Sequence, residues 1–161
     1  MEQISLEVFR QRVSPEDLGS GSIFGALSAD ATLFLLERGK IYQARSGESI
    51  FKYGDRGDSF FVVCAGSLEF LKQHEGEYIQ TRTVGFGEEV GFVAMIALHE
   101  HVGNAVARED SLLLEVNSVL FGQLHQSYSL DFGLLLLNLA RDMARVVRKL
   151  GNKLVENAIR H

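Results

Sequence analysis

From Lys40 to Val116 the chain is cut into short, β-prone segments, and this spacing leaves little choice of architecture. The segments read KIYQAR, ESIFKY, SFFVVCAGSLEFLKQ, YIQTRTV, VGNAVARED and SLLLEV, several of them rich in Ile, Val, Phe and Tyr. The turn-forming clusters SGE, GDRGD, AGS, HEGE and RED punctuate them, and Gly54-Asp55 and Gly57-Asp58 supply positions where the chain reverses. Strands so short, with little room for helices between them, pair antiparallel and predict a sandwich or barrel.

Helical patterns flank this region. Ser14-Pro15-Glu16 offers an N-cap followed by proline at the first helical position, and Ser28 is placed to cap ADATLFLLERG, so two short helices with a Gly/Ser joint are expected. After Asn117, SVLFGQLHQ reads as a short amphipathic helix, and only Gly133 and Gly151 interrupt a long one from about Ser129 to Ile159. Leu136, Ala140, Met143, Val147, Leu150 and Leu154 follow the 4-3 spacing of a two-stranded coiled-coil seam. A second apolar line, Leu135, Leu139 and Val146, faces the chain's own body. One stripe for the body and one left over predicts a homodimer built on this helix.

At 161 residues the chain is long enough for one domain with a real core, or one domain with a long appended element, and too short for two full domains. The nearly unbroken apolar run Val90–Leu98 is well short of the roughly 18 residues of a membrane span. No apolar leader stretch opens the sequence, and the single cysteine, Cys64, cannot form an internal disulfide; a cytoplasmic location is expected. The net charge of −5 is uneven, because Arg141, Arg145, Arg148, Lys149, Lys153 and Arg160 oppose only Asp142 and Glu156 after residue 133. An acidic body argues against a nucleic-acid surface, and the cations suit the end of a helix.

His99-Glu100-His101 invites a reading as a metal site. The pair lacks the i, i+4 spacing of HExxH; an i, i+2 pair shares a strand face, but a third ligand must come from elsewhere, and His74 and His125 lie in unrelated segments. A metal-dependent site at His99 and His101 is therefore the minor alternative. There is no GxSxG elbow and no GxxxxGK[ST] loop; Gly85, Gly87 and Gly91 miss GxGxxG by one residue, and Glu88-Glu89 between them repel a pyrophosphate. No enzyme activity is expected.

The stretch GESIFKYGDRGDSFFVVCAGSLEF, residues 47–70, resembles the cyclic-nucleotide-binding domain family through Gly47, Glu48, Ile50, Phe51, Gly54, Asp55, Asp58, Phe60, Phe61, Val62, Val63 and Gly66. The likeness extends upstream through IFGALSADATLFLLERGKIYQARSGESIF. Downstream, NSVLFGQLHQSYSLDFGLLLLNLARDMARVVRKL is similar to the B helix and long C helix of the catabolite-activator branch. It implies a mainly β fold with flanking helices: an eight-stranded jelly roll, or double-stranded β-helix, with a long C-terminal dimerisation helix. The implied divisions are a helical lead-in over 1–22, the β-barrel domain over 23–128 and the dimerisation helix over 129–161.

The family's phosphate cassette, a glycine turn opening a short helix and closed by an arginine, falls without gaps on Gly91, Phe92, Val93 and Ala94 and then on His101, Val102 and Gly103. The resemblance implies a phosphate seated on helix N-terminal amides and the arginine, and a ribose held by a glutamate. Phe92 stands at the glutamate and His101 at the arginine. Phenylalanine accepts no hydrogen bond and has the size to fill part of the sugar site; histidine lacks the guanidinium fork. A second register takes Phe86-Gly87-Glu88 as the motif, at the expense of a longer cassette. The expected function is a non-catalytic regulatory or sensor module that does not bind cAMP or cGMP in the usual way. The alternative is a genuine cyclic-nucleotide sensor that uses backbone amides and His101. No certain cofactor, a protein effector and no direct nucleic-acid or membrane partner complete the expectation, and no winged helix follows the long helix.

Overall fold

The computed structural model describes residues 1–160; His161, the last residue of the expected 129–161 segment, lies outside the described residues. The strands are β1 (Glu2–Ile4), β2 (Lys40–Ala44), β3 (Ser49–Phe51), β4 (Ser59–Ala65), β5 (Leu68–His74), β6 (Glu77–Val84), β7 (Glu89–Val90), β8 (Gly103–Ala107) and β9 (Ser111–Asn117). The helices are α1 (Leu6–Arg10), a 3-10 turn (Pro15–Ser20), α2 (Ala29–Arg38), α3 (Phe92–Ala97), α4 (Ser118–Ser127) and α5 (Ser129–Arg160).

Two antiparallel sheets, ordered β1-β2-β9-β4-β7 and β3-β8-β5-β6, form the jelly roll. Seven of the strands, β2–β6, β8 and β9, fall on the segments the turn spacing predicts, and the two-residue β7 completes the eight that the family resemblance implies. The ninth differs from the helical lead-in expected over 1–22: Glu2–Ile4 pairs with Ile41–Gln43. A three-residue strand carries no period of its own, and the open edge of β2 supplies its pairing.

The central strands explain themselves by burial. On β4, Phe60, Val62 and Cys64 face the helices, whereas Phe61 and Val63 face the barrel interior. On β9, Leu112, Leu114 and Val116 point to the helices and Leu113 to the interior. A sheet covered on both faces needs apolar residues at every position, and FFVVC and LLL supply them. Burial in this core raises the Cys64 thiol to about 12 and keeps it unreactive.

The helices form where the sequence caps them. The Ser28 hydroxyl accepts from the Ala31 amide at 3.1 Å, and Asn117 caps α4 through the Leu120 amide at 2.8 Å. Ser14 instead bonds to Glu16 and leaves the following turn 3-10. Leu135 and Leu139 dock α5 on the helical core. Asn138 Nδ2 donates to the carbonyls of Ile23 and Gly25 at 3.0 and 2.7 Å. Asp131 accepts the Ser28 amide at 2.6 Å. These ties fix the first half of α5. Among the described residues, no helix is long and apolar enough to cross a membrane.

Candidate functional site

The turn that would seat an anion is held by backbone packing. Gly87 lies so close to Gly21 that a Cβ on it would meet Gly21 Cα at 2.2 Å. Its carbonyl accepts the Ile23 amide at 2.9 Å. Four residues on, Gly91 adopts φ +102°, a conformation that costs any residue with a Cβ, and opens α3. The helix thus begins where the ungapped register puts it; in the competing register, Glu88 is spent on the turn, accepting the Gly85 amide at 3.1 Å.

The expected site residues separate from there. Phe92 is 1% exposed and makes edge-on contacts with Phe60 at 5.6 Å and Phe121 at 6.1 Å. It lies on the helical side of the sheet, in the apolar pocket between β4 and α4. Val93 faces solvent, Ala94 is buried, Val102 is half-buried, and Gly103 is pressed against β5, where a Cβ would meet Leu71 O at 2.3 Å.

His101 alone returns to the glycine turn. Its imidazole stacks on Phe51, with centroids 3.6 Å apart and planes 9° from parallel. Its Cε1 would stand 3.2 Å from a Cβ on Gly91. The backbone fixes it there: its amide donates to Asp55 O, and its carbonyl accepts from the Gly54 amide, both at 2.9 Å. Burial pushes the imidazole pKa down, against the opposing pull of Asp55 and Asp58. His99 is exposed, with Nδ1 2.6 Å from the Glu100 carbonyl. The residues 99–101 form no strand, and among the described residues no third metal-ligating side chain joins the two histidines. Beside them lies an open depression of about 390 Å³ bounded by Tyr53, His99, Glu100, His101 and Val102.

Residues that the sequence reading passed over shape the other side of the turn. The Phe92 amide, the first donor of α3, donates to Glu89 Oε2 at 3.0 Å. Arg82 Nη2 donates to the Glu89 carbonyl at 2.8 Å. Desolvation raises the Glu89 carboxyl to about 7, while Arg82 and the Phe92 amide oppose the rise. Arg82 also approaches Asp142 of α5. One of these had a legible signal: Asp142 continues the i, i+3, i+4, i+7 series of Leu135, Asn138 and Leu139, and an acid on a buried stripe requires a partner.

On α5, Leu136, Ala140, Val147, Leu150 and Leu154 are exposed, Val147 by 69% and Leu154 by 71%. Met143 instead packs partly against the helical core of its own chain.

A model of the cyclic nucleotide-binding domain matches residues 41–128. The cAMP-dependent protein kinase regulatory subunit of Yarrowia lipolytica is 28% identical over 118 residues, which are 70% of this chain and 30% of that protein. The chain therefore spans less than a third of that relative's length. A cyclic nucleotide-binding domain from Methylobacillus flagellatus superposes with a TM-score of 0.81 at 17% identity, covering 97% of this chain and 88% of that one. The catabolite activator protein of Thermus thermophilus follows with a TM-score of 0.71 at 24% identity, covering 86% and 63%. These two likenesses concern the fold.

Proposed function

From the premise that this chain belongs to the cyclic nucleotide-binding domain family, we propose that it is a non-catalytic regulatory or sensor module whose cassette does not hold cAMP or cGMP in the usual way. The observation that carries this reading is His101. An imidazole stacked on Phe51 and set against Gly91, its pKa pushed down by burial, stands where the family resemblance expects a guanidinium. It offers no fork for a phosphate, and protonating it means charging a buried group.

Two further features support the reading. The first amide of α3 already donates to Glu89 Oε2, so that donor is not free for a phosphate. Phe92 lies in the core and leaves no carboxylate for a ribose hydroxyl. Losing one charge-assisted contact weakens binding by about 1.5–3 kcal/mol, and losing two lowers affinity by roughly a hundredfold or more. The module then answers to a less anionic ligand or to a protein effector.

The apolar seam on α5 supports a homodimer as the working unit. The acidic body gives no surface for nucleic acid, and the curated relative is named as a regulatory subunit rather than a catalyst.

Isothermal titration with cAMP and with cGMP tests the reading. We expect no saturable heat at micromolar nucleotide. Tight binding of either would overturn it, and affinity that rises as the pH falls through the histidine range would establish the sensor that uses His101.

A further inference from the structure

Two buried carboxylates and one guanidinium meet between the cassette turn and α5. Arg82, on β6, holds the Glu89 carbonyl through Nη2 at 2.8 Å and stands 3.9 Å from Glu89 Oε1. Its Nη1 lies 3.9 Å from Asp142 Oδ2. The side chains of Glu89 and Asp142 are 2% and 8% exposed. Asp142 Oδ2 is buried without a hydrogen-bond partner among the described residues.

The charge count at this point does not balance. One cation faces two anions that are largely buried, and an unpaired buried charge is strongly unfavourable. The surroundings do not cancel the excess. Glu88 adds negative potential toward both carboxylates, whereas Arg145 and Lys149 reach Asp142 from exposed positions on α5. Binding one proton removes the imbalance and leaves a single ion pair.

The location gives that proton a mechanical consequence. Glu89 holds the first amide of α3, and Asp142 is the last buried residue of α5, after Leu135, Asn138 and Leu139. Beyond it the helix keeps few ties to its own body, among them Lys153 Nζ donating to Thr81 O at 3.1 Å. The two carboxylates therefore join the base of the cassette to the point where α5 leaves the domain.

We propose that Glu89, Arg82 and Asp142 form a proton-binding coupler: one proton held by either carboxyl keeps α5 against the cassette, and releasing it to solvent loosens that contact. Burial raises both carboxyls, Glu89 to about 7. A raised carboxyl favours the folded contact on the acid side and loses that contribution as pH rises through the native value. The two groups titrate as a pair. The coupler does not depend on whether the cassette holds a nucleotide.

The test uses the full chain without nucleotide. Carbon-13 NMR of the side-chain carboxyls should show Glu89 titrating at about 7 and Asp142 titrating above the ordinary range of an aspartate. Amide hydrogen exchange, corrected for its intrinsic pH dependence, should show protection around α3 and residues 142–153 falling about tenfold over one pH unit across that range. Asp142→Asn and Glu89→Gln should each abolish the fall. If either variant does not fold, the other and the NMR titration still decide. Both carboxyls titrating below about pH 5, or a pH response that survives in the variants, would overturn the coupler.

Discussion

The imidazole of His101 lies flat on the phenyl ring of Phe51, 3.6 Å away, and its edge rests against the glycine turn that opens α3. A neutral ring is suited to that place, and a charged one is not. The imidazole pKa is depressed by burial from 6.5.

The depressed value predicts a pH dependence of stability. The unfolded chain binds the His101 proton more tightly than the native state, so stability rises with pH and is lost as pH falls below about 6.5. His101→Phe keeps the stack and removes the titration. Urea unfolding from pH 5 to 8 should show a flatter acid limb in that variant, and an unchanged limb would contradict the assignment.

Phe92 predicts that restoring the family residue fails. Phe92→Glu places a carboxylate among Phe60, Phe121 and the rest of the helical core. It should destabilise the fold without creating nucleotide affinity by calorimetry. Phe92→Ala should cost about 3–5 kcal/mol in urea unfolding, the loss typical of a buried phenyl ring.

The two stripes of α5 predict separable phenotypes. Leu150→Glu with Leu154→Glu alters exposed seam positions and should shift sedimentation equilibrium from dimer to monomer while the circular dichroism spectrum is retained. Leu139→Ala empties a fully buried site and should cost about 2–5 kcal/mol of stability. Met143→Ala should behave more like Leu139→Ala, since Met143 packs on its own core.

Gly91 predicts a local effect. With φ at +102° and His101 Cε1 and Ser59 O close by, Gly91→Ala strains the turn and crowds the imidazole. A loss of about 1–3 kcal/mol is expected, with the His101 ring proton resonances shifted in the NMR spectrum. An unshifted His101 would separate the ring from the turn.

Much of the fold is legible residue by residue. Turn clusters set the strands, Ser28 and Asn117 cap their helices, and the two-sided apolar runs of β4 and β9 belong to a sheet covered on both faces. Leu135 and Leu139 mark the face of α5 that docks, while the glycine turn at Gly91 that opens α3 is implied only by the family resemblance. These features follow from period, capping and backbone freedom, which act over a few residues and are written in the order of the chain.

Only the tertiary structure decided where the side chains of the cassette go. Phe92 enters the helical core because Phe60 and Phe121, 32 residues before it and 29 after it in the chain, line a pocket that accepts an aromatic ring. His101 finds Phe51 for the same reason. Arg82, Glu89 and Asp142 come from β6, β7 and α5, and nothing in their local sequence pairs them. Side-chain direction and charge pairing across elements depend on distances that exist only after the sheets close and α5 docks. The sequence therefore determined the scaffold and the positions of its turns, and packing determined which of its polar groups meet.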